Sequence, residues 1–191
     1  MTPRRLGIIA GAALAVVGAV MTAFGAEDDL EPLEPEGYRT YDYRAPVPKT
    51  LRSARVVTTA EAAEIWRAGG AVFVDVLPRA PRPRNLPAGT IWRDSPRHDV
   101  PGSVWLPDTG YGELAAITET YLADGLARAT GGDRGRPLVF YCLKDCWMSW
   151  NAAKRAMTLG YGNVIWFPDG TDGWEAAGLP LAETRPEPRP E

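Results

Sequence analysis

The sequence predicts an α/β fold built on a small parallel sheet, and three observations predict it. A bounded apolar run, Leu138–Tyr141, follows Pro137 and has the length of a strand buried on both faces. Strand, helix and strand patterns succeed one another between residues 54 and 76, the order that a parallel sheet with crossover helices requires. The apolar run then ends at Cys142, and a helix pattern from Ser149 to Leu159 follows it, stopped by Gly160. A strand that gives way to a loop and a helix N-terminus sets that loop beyond the carboxyl end of the sheet, where open α/β sheets build their sites. The only two cysteines, Cys142 and Cys146, are both in this loop.

Length and composition bound the problem. The chain has 191 residues, room for one domain with a core and some appendages. Hydrophobic content of 45% and charged content of 24% are ordinary for a globular protein, and a net charge of −3 gives no electrostatic reason for a nucleic-acid partner. At the N-terminus Arg4 and Arg5 precede an uncharged Leu/Ile/Ala/Val/Gly-rich run from Leu6 to Ala26. This is the pattern of a secretory signal, residues 1–25, with the small residues Ala23 and Gly25 preceding cleavage before Ala26. The alternative is an uncleaved anchor, because the uncharged stretch of 21 residues is long enough to span a bilayer. Without that anchor no membrane association is expected. Either way the domain is exported, to a periplasmic compartment that permits disulfides.

The elements follow in chain order. Residues 26–53 form a lead-in: 26–35 are acidic and proline-spaced, and 37–49 carry three tyrosines, two arginines and two prolines. The aromatic part is expected to lie extended across the domain, as surface packing or as a wall of a cleft. Residues 54–181 are expected to be the folded domain. It opens with a short strand at 54–57. Thr58 and Glu61 then fit a capping box for a helix to about residue 68, ended by Gly69 and Gly70. Ala71 to Val76 is a buried strand with Asp75 near its end. Residues 77–100 break the rhythm with five prolines and five arginines, which face only Asp94 and Asp99 locally, so this stretch reads as a cationic flap closed by His98, the only histidine. Val104–Leu106 is a strand, and Glu113 to Ala129 a helix with Leu114, Ile117, Tyr121, Leu122 and Leu126 on one stripe. In the helix after the cysteine loop, Ser149 is the expected N-cap and Gly160 the left-handed C′ residue. Asn163 to Phe167 is a last strand, and Trp174 to Ala177 a helical turn. Residues 182–191 alternate charge and proline and are expected to be a disordered tail.

The order of several short motifs resembles a rhodanese-like domain over roughly residues 54–180. These are the Asp75-Val76 strand end, the segment His98-Asp99-Val100-Pro101-Gly102-Ser103, the strand-terminal Cys142, and Leu159-Gly160-Tyr161-Gly162-Asn163-Val164. A closing Asp169-Gly170 to Gly173-Trp174 completes the set. The stretch from Cys142 to Arg155, with Tyr43-Arg44-Ala45-Pro46-Val47-Pro48 upstream, resembles more narrowly the exported CXXCW-motif proteins associated with pyrroloquinoline-quinone (PQQ)-dependent catabolism. This chain has three residues between its cysteines where that motif has two. The resemblance implies an α/β domain with helices on both faces of a small parallel sheet. It also implies an accessory role beside a periplasmic quinoprotein dehydrogenase or its cytochrome. No bound cofactor is expected.

In such a domain the loop amides and the following helix form a nest around the cysteine sulfur, which lowers the thiol pKa and would hold a persulfide. The positions concerned are Leu143, Lys144, Asp145, Trp147, Met148 and Ser149, with Cys142 as nucleophile and Asp75 and His98 in support. The loop from Cys142 to Ser149 reads as one residue longer than in rhodaneses, as in phosphatase-type relatives. Those need an arginine where this chain has Met148, which argues against phosphatase chemistry. Lys144 is the only loop cation, and Asp145 would repel an anion, which also counts against ordinary thiosulfate chemistry.

The second cysteine opens another route. A disulfide closed over so short a loop contributes only about 2 kcal/mol on the loop-entropy model, so a resolving or redox role for Cys146 is the stronger reading beside an inert bridge. Cys142, Cys146 and His98 would make a metal site of only three ligands, which is not specific, and no metal is expected. Asp75 could orient the loop or simply bond a neighbouring turn. His98 could belong to the site or to the return into the sheet. Trp147 and Trp150 could pack in the core or wall a pocket over the sulfur. The function expected is sulfur transfer or thiol–disulfide exchange through Cys142 with Cys146 as partner. The donor, acceptor or thiol partner is unspecified. The alternative is a non-catalytic accessory module for a quinoprotein dehydrogenase or its cytochrome.

Overall fold

The computed structural model describes residues 32–91 and 95–189. The expected export segment and Asp94 of the flap lie outside the described residues. The chain runs β1 (Arg55–Val56), α1 (Thr59–Ala68), β2 (Val72–Asp75), β3 (Arg97–Asp99), β4 (Val104–Trp105) and α2 (Ala116–Thr130). It continues with β5 (Leu138–Tyr141), α3 (Trp147–Thr158), β6 (Val164–Trp166), α4 (Gly170–Ala176) and β7 (Ala182–Thr184). Five strands form one parallel sheet in the order β1-β6-β5-β2-β4, with β5 in the middle. β3 and β7 pair antiparallel as a separate two-stranded ribbon.

Every residue of β2, β5 and β6 is buried, which is why these strands read as continuous apolar runs. Alternate side chains serve two cores. Val72, Val74, Leu138, Phe140, Val164 and Trp166 pack with α2 and α3 residues on one face. Phe73, Val139, Tyr141 and Ile165 pack with α1 and α4 residues on the other, around Trp174. The ring of Trp174 meets those of Trp66, Phe73 and Phe167 edge-on, and its indole N–H donates to the Pro180 carbonyl. Helices therefore cover both faces, as expected.

Local signals set several boundaries. Thr58 caps α1: its side chain accepts from the Glu61 amide, and the Glu61 carboxylate accepts from the Thr58 amide. Gly160 follows α3 with φ +90, in the left-handed region that glycine adopts without a Cβ penalty. On α2 the buried stripe is Tyr121, Leu122, Gly125 and Leu126, whereas Ile117, expected on it, is 54% exposed in the first turn. Ser149 is not the N-cap of α3. The helix begins two residues earlier with Cys146 as its cap, so the cysteine loop is shorter than the residue pattern indicates.

Two flanking segments differ from their composition. The tail expected to be disordered from residue 182 instead forms β7 and then continues along the sheet edge. Pro186 bridges to Trp105 of β4, the Glu187 amide donates to the Trp105 carbonyl, and Arg189 pairs with Asp108. The edge strand β4 offers unpaired backbone groups, and the tail takes one of them. That bond draws on main-chain atoms, which composition does not register. The described part of the lead-in lies along α3. Lys154 Nζ donates to the carbonyls of Pro35, Glu36 and Gly37, and Asn151 exchanges hydrogen bonds with the Arg39 backbone in both directions. Trp147 and Trp150 donate their indole N–H groups to Pro46 and Thr50. Among the described residues no helix is long and apolar enough to cross a membrane.

Candidate functional site

Cys142 follows the last residue of β5, so the central strand of the sheet aims it at the carboxyl edge. The chain then turns back on itself within five residues. Asp145 makes the turn with φ +52, a left-handed conformation that aspartate tolerates better than most residues. The turn brings Cys146 to a Cα distance of 6.2 Å from Cys142, and the two sulfurs form a disulfide. Cys142 is fully buried and Cys146 is 2% exposed.

The loop and the first turn of α3 are held from three sides. From α4, the Thr171 amide donates to the Cys142 carbonyl at 3.0 Å, and the Asp172 carboxylate accepts from the Lys144 amide at 3.0 Å. Gly170 makes this approach feasible: it has φ +54, and a Cβ there would run into the Cys142 carbonyl. From the lead-in, the Tyr43 carbonyl accepts from the Trp147 amide at 2.9 Å, in the first turn of α3. From the turn before α2, Gly110 lies against Met148. A Cβ on Gly110 would stand 2.5 Å from the Met148 Cβ and carbonyl oxygen. Gly110→Ala is therefore expected to lower stability by about 2–3 kcal/mol, as overpacking against backbone does, and urea unfolding measures it.

Behind the loop lies a buried ion pair. Asp75, fully buried at the end of β2, accepts from Arg97 Nε at 2.6 Å and from the Leu77 amide at 2.8 Å. Burial pushes its carboxyl up, against the pull of the Arg97 guanidinium and the Leu77 amide. Arg97 also donates to Thr171 Oγ1 at 3.3 Å, and so connects Asp75 to the residue that holds the Cys142 carbonyl. Arg97 thus belongs to this network and not to a free cationic flap. Asp99, two residues on, is buried too. One carboxylate oxygen accepts from Thr184, and the other is the one buried side-chain polar atom among the described residues without a hydrogen-bond partner. Burial, with a smaller contribution from the charge of Asp75, raises its pKa to about 7.

Of the positions expected at the site, Cys142, Leu143, Lys144, Asp145 and Cys146 form the loop, and Asp75 lies behind it through Arg97 and Thr171. Trp147, Met148 and Ser149 are not loop residues. They are the buried first turn of α3, where Trp147 and Met148 pack in the core. Ser149 donates to the Cys146 carbonyl and accepts from the Trp166 indole. His98 is exposed on β3, opposite Glu183 of β7. Arg97 as the partner of Asp75, and Thr171, Asp172 and Tyr43 as partners of the loop and of α3, are set by the tertiary structure. Nothing local marks them: Arg97 is 22 residues from Asp75, and Asp172 is 28 from Lys144.

Beside the loop opens a cleft of about 510 Å³. Leu77, Pro96, Leu143 and Leu181 supply apolar wall, and His98, Asp172 and Glu175 stand among its polar lining. Among the described residues no group of three or more His, Cys, Asp or Glu side chains could hold a metal ion.

No protein-family model and no curated protein matches the chain. Solved structures do match. A polysulfide-sulfur transferase homodimer from Wolinella succinogenes is similar at 18% identity over 68% of this chain and 79% of that one, with a TM-score of 0.44. A protein of unknown function from Rhodopseudomonas palustris, described as a possible tyrosine phosphatase, is similar at 24% identity over 68% and 86%, also with a TM-score of 0.44. An EanB variant carrying a cysteine persulfide, in a tetrahedral intermediate state with ergothioneine, is similar at 20% identity over 74% of this chain and 34% of its own, with a TM-score of 0.48.

Proposed function

We propose that the chain is an exported thiol protein that works through Cys142, with Cys146 as its resolving partner, in sulfur transfer or thiol–disulfide exchange. One observation carries this reading: the only two cysteines close on each other in the loop between the central strand and its helix. The bridge spans so few residues that its contribution to stability is small, about 2 kcal/mol on the loop-entropy model, which leaves reactivity as the better reason for it.

The disulfide takes part in two balanced sequences, as the oxidant in the first and the product of the second. In thiol exchange, a partner thiolate attacks one sulfur, the S–S bond breaks, and the other cysteine leaves as thiolate. A second partner thiolate then attacks the mixed disulfide, so the partner is oxidised to its disulfide and the protein is reduced to the dithiol. In sulfur transfer, the Cys142 thiolate attacks the sulfane sulfur of a persulfide or polysulfide donor; the donor S–S bond breaks, and the remainder leaves as a thiolate or a shortened polysulfide. The Cys146 thiolate then attacks the inner sulfur, expels hydrosulfide and re-forms the bridge.

The test uses reduced protein and a polysulfide donor, with hydrosulfide release and intact mass as readouts. Cys142→Ser should abolish both hydrosulfide release and modification. Cys146→Ser should stop release and accumulate protein heavier by one sulfur atom. Wild-type release from Cys142→Ser would refute the reading.

A second reading is favoured by the burial of both sulfurs: a non-catalytic accessory module that docks a periplasmic quinoprotein dehydrogenase or its cytochrome. The resemblance to the CXXCW-motif proteins supports placing either activity beside PQQ-dependent alcohol catabolism. Survival of that catabolism in a strain carrying Cys142→Ser would favour the docking module.

A further inference from the structure

Two amides that could face a bound anion, one in the loop and one in the first turn of α3, are already occupied from within the chain. The Lys144 amide donates to the Asp172 carboxylate, and the Trp147 amide donates to the Tyr43 carbonyl. Internal acceptors thus take positions where the oxygens of an anionic sulfur donor could bind. The charge around the loop points the same way. Among the described residues of the loop and its cleft, the carboxylates of Asp145, Asp172 and Glu175 stand against the ammonium of Lys144, while Arg97 is paired with Asp75. The cleft offers apolar wall at Leu77, Pro96, Leu143 and Leu181, and Leu143 is the residue next to the reactive sulfur.

From this geometry we infer that the site selects neutral or cationic thiols with an apolar body and rejects anionic sulfur compounds, with Asp172 as the discriminating residue. The inference rests on the proposed reactivity of the Cys142–Cys146 disulfide. Asp172 acts in two ways: its carboxylate fills the Lys144 amide, and its charge repels an approaching thiolate whose remaining groups are also anionic. A cationic group on the incoming thiol meets Asp172 and Glu175 instead.

The test is a charge series of small thiols of similar size: cysteamine, 2-mercaptoethanol and 2-mercaptoethanesulfonate. Each reduces the protein disulfide by the same two attacks, one releasing a cysteine thiolate and the second releasing the oxidised small thiol. The rate is read by mass spectrometry after alkylation and divided by the thiolate fraction of each reagent. Cysteamine is expected to exceed 2-mercaptoethanesulfonate about tenfold at low ionic strength, where the Debye length is about 30 Å at 0.01 M, and the gap should close in about 1 M salt. Asp172→Asn keeps an oxygen to accept from Lys144 and removes the charge; it should narrow the gap, and so should Glu175→Gln. A flat series, a faster sulfonate, or an undiminished gap in Asp172→Asn would overturn the inference. The salt series on the unaltered protein tests the charge effect independently of any variant. Failure of all three thiols to reduce the folded protein would instead overturn the proposed thiol function.

Discussion

Asp75→Ala is expected to destabilise the protein by about 3–5 kcal/mol, the usual consequence of stripping one partner from a buried ion pair. Arg97 would be left with a side chain only 11% exposed and no carboxylate, and the Leu77 amide would lose its acceptor. The damage should reach the cysteine loop, because Arg97 donates to Thr171 and Thr171 holds the Cys142 carbonyl. Two measurements separate these effects. Urea unfolding of oxidised protein gives the global loss, and the rate of disulfide reduction by 2-mercaptoethanol under native conditions should rise as the loop loosens. Asp75→Ala combined with Arg97→Met removes both charges and should recover a large part of the stability, since apolar replacement of a buried pair is often neutral or favourable. A single variant as stable as the wild type would show that Arg97 finds another partner and that the pair does not organise the site.

Asp99 should make the protein less stable as pH rises through the acid-to-neutral range. Its carboxyl is buried with one oxygen unpartnered, and its pKa is raised from 3.8 to about 7. Below about pH 3.8 the group is protonated in both states and contributes no pH dependence. Between that value and about 7 the unfolded chain has released the proton while the folded protein still holds it, so stability falls with rising pH. Above about 7 the folded form ionises too and the cost is complete, at about 4 kcal/mol from the size of the shift. The usual carboxylate, lowered by a cation, has the opposite sign. Asp99→Asn should match the wild type near pH 4, exceed it near pH 8, and flatten the profile between, as read by urea midpoints at constant ionic strength. Parallel profiles for the two proteins would show that Asp99 ionises normally in the fold.

Much of the fold was legible because its signals are local. The capping box at Thr58 and Glu61, the apolar runs of β2, β5 and β6, and Gly160 after α3 each involve residues within a turn or a strand of one another. The start of α3 lies earlier than its residue types indicate, although Ser149 is a good cap by residue type. The chain instead closes its loop early, with the turn at Asp145 and the bridge between Cys142 and Cys146, and Ser149 spends its hydroxyl on Cys146 and Trp166 inside the core. The tail departs from its composition for a related reason. Its charges and prolines describe side chains, whereas its order comes from backbone bonds to β3 and β4.

The sequence by itself determined that the chain is an α/β domain, where the five strands of its parallel sheet lie, and that both cysteines sit in the loop after a buried strand. Periodicity and caps are short-range physics, carried by neighbouring residues. The tertiary structure alone decided that Asp75 answers Arg97, that Asp99 keeps a carboxylate oxygen with no partner, and that Asp172 and Tyr43 occupy amides of the loop and of the first turn of α3. Those contacts join residues from 22 to more than 100 positions apart. Only packing the sheet, the helices and the lead-in together brings them within hydrogen-bond range, and the chemistry open to Cys142 depends on that packing.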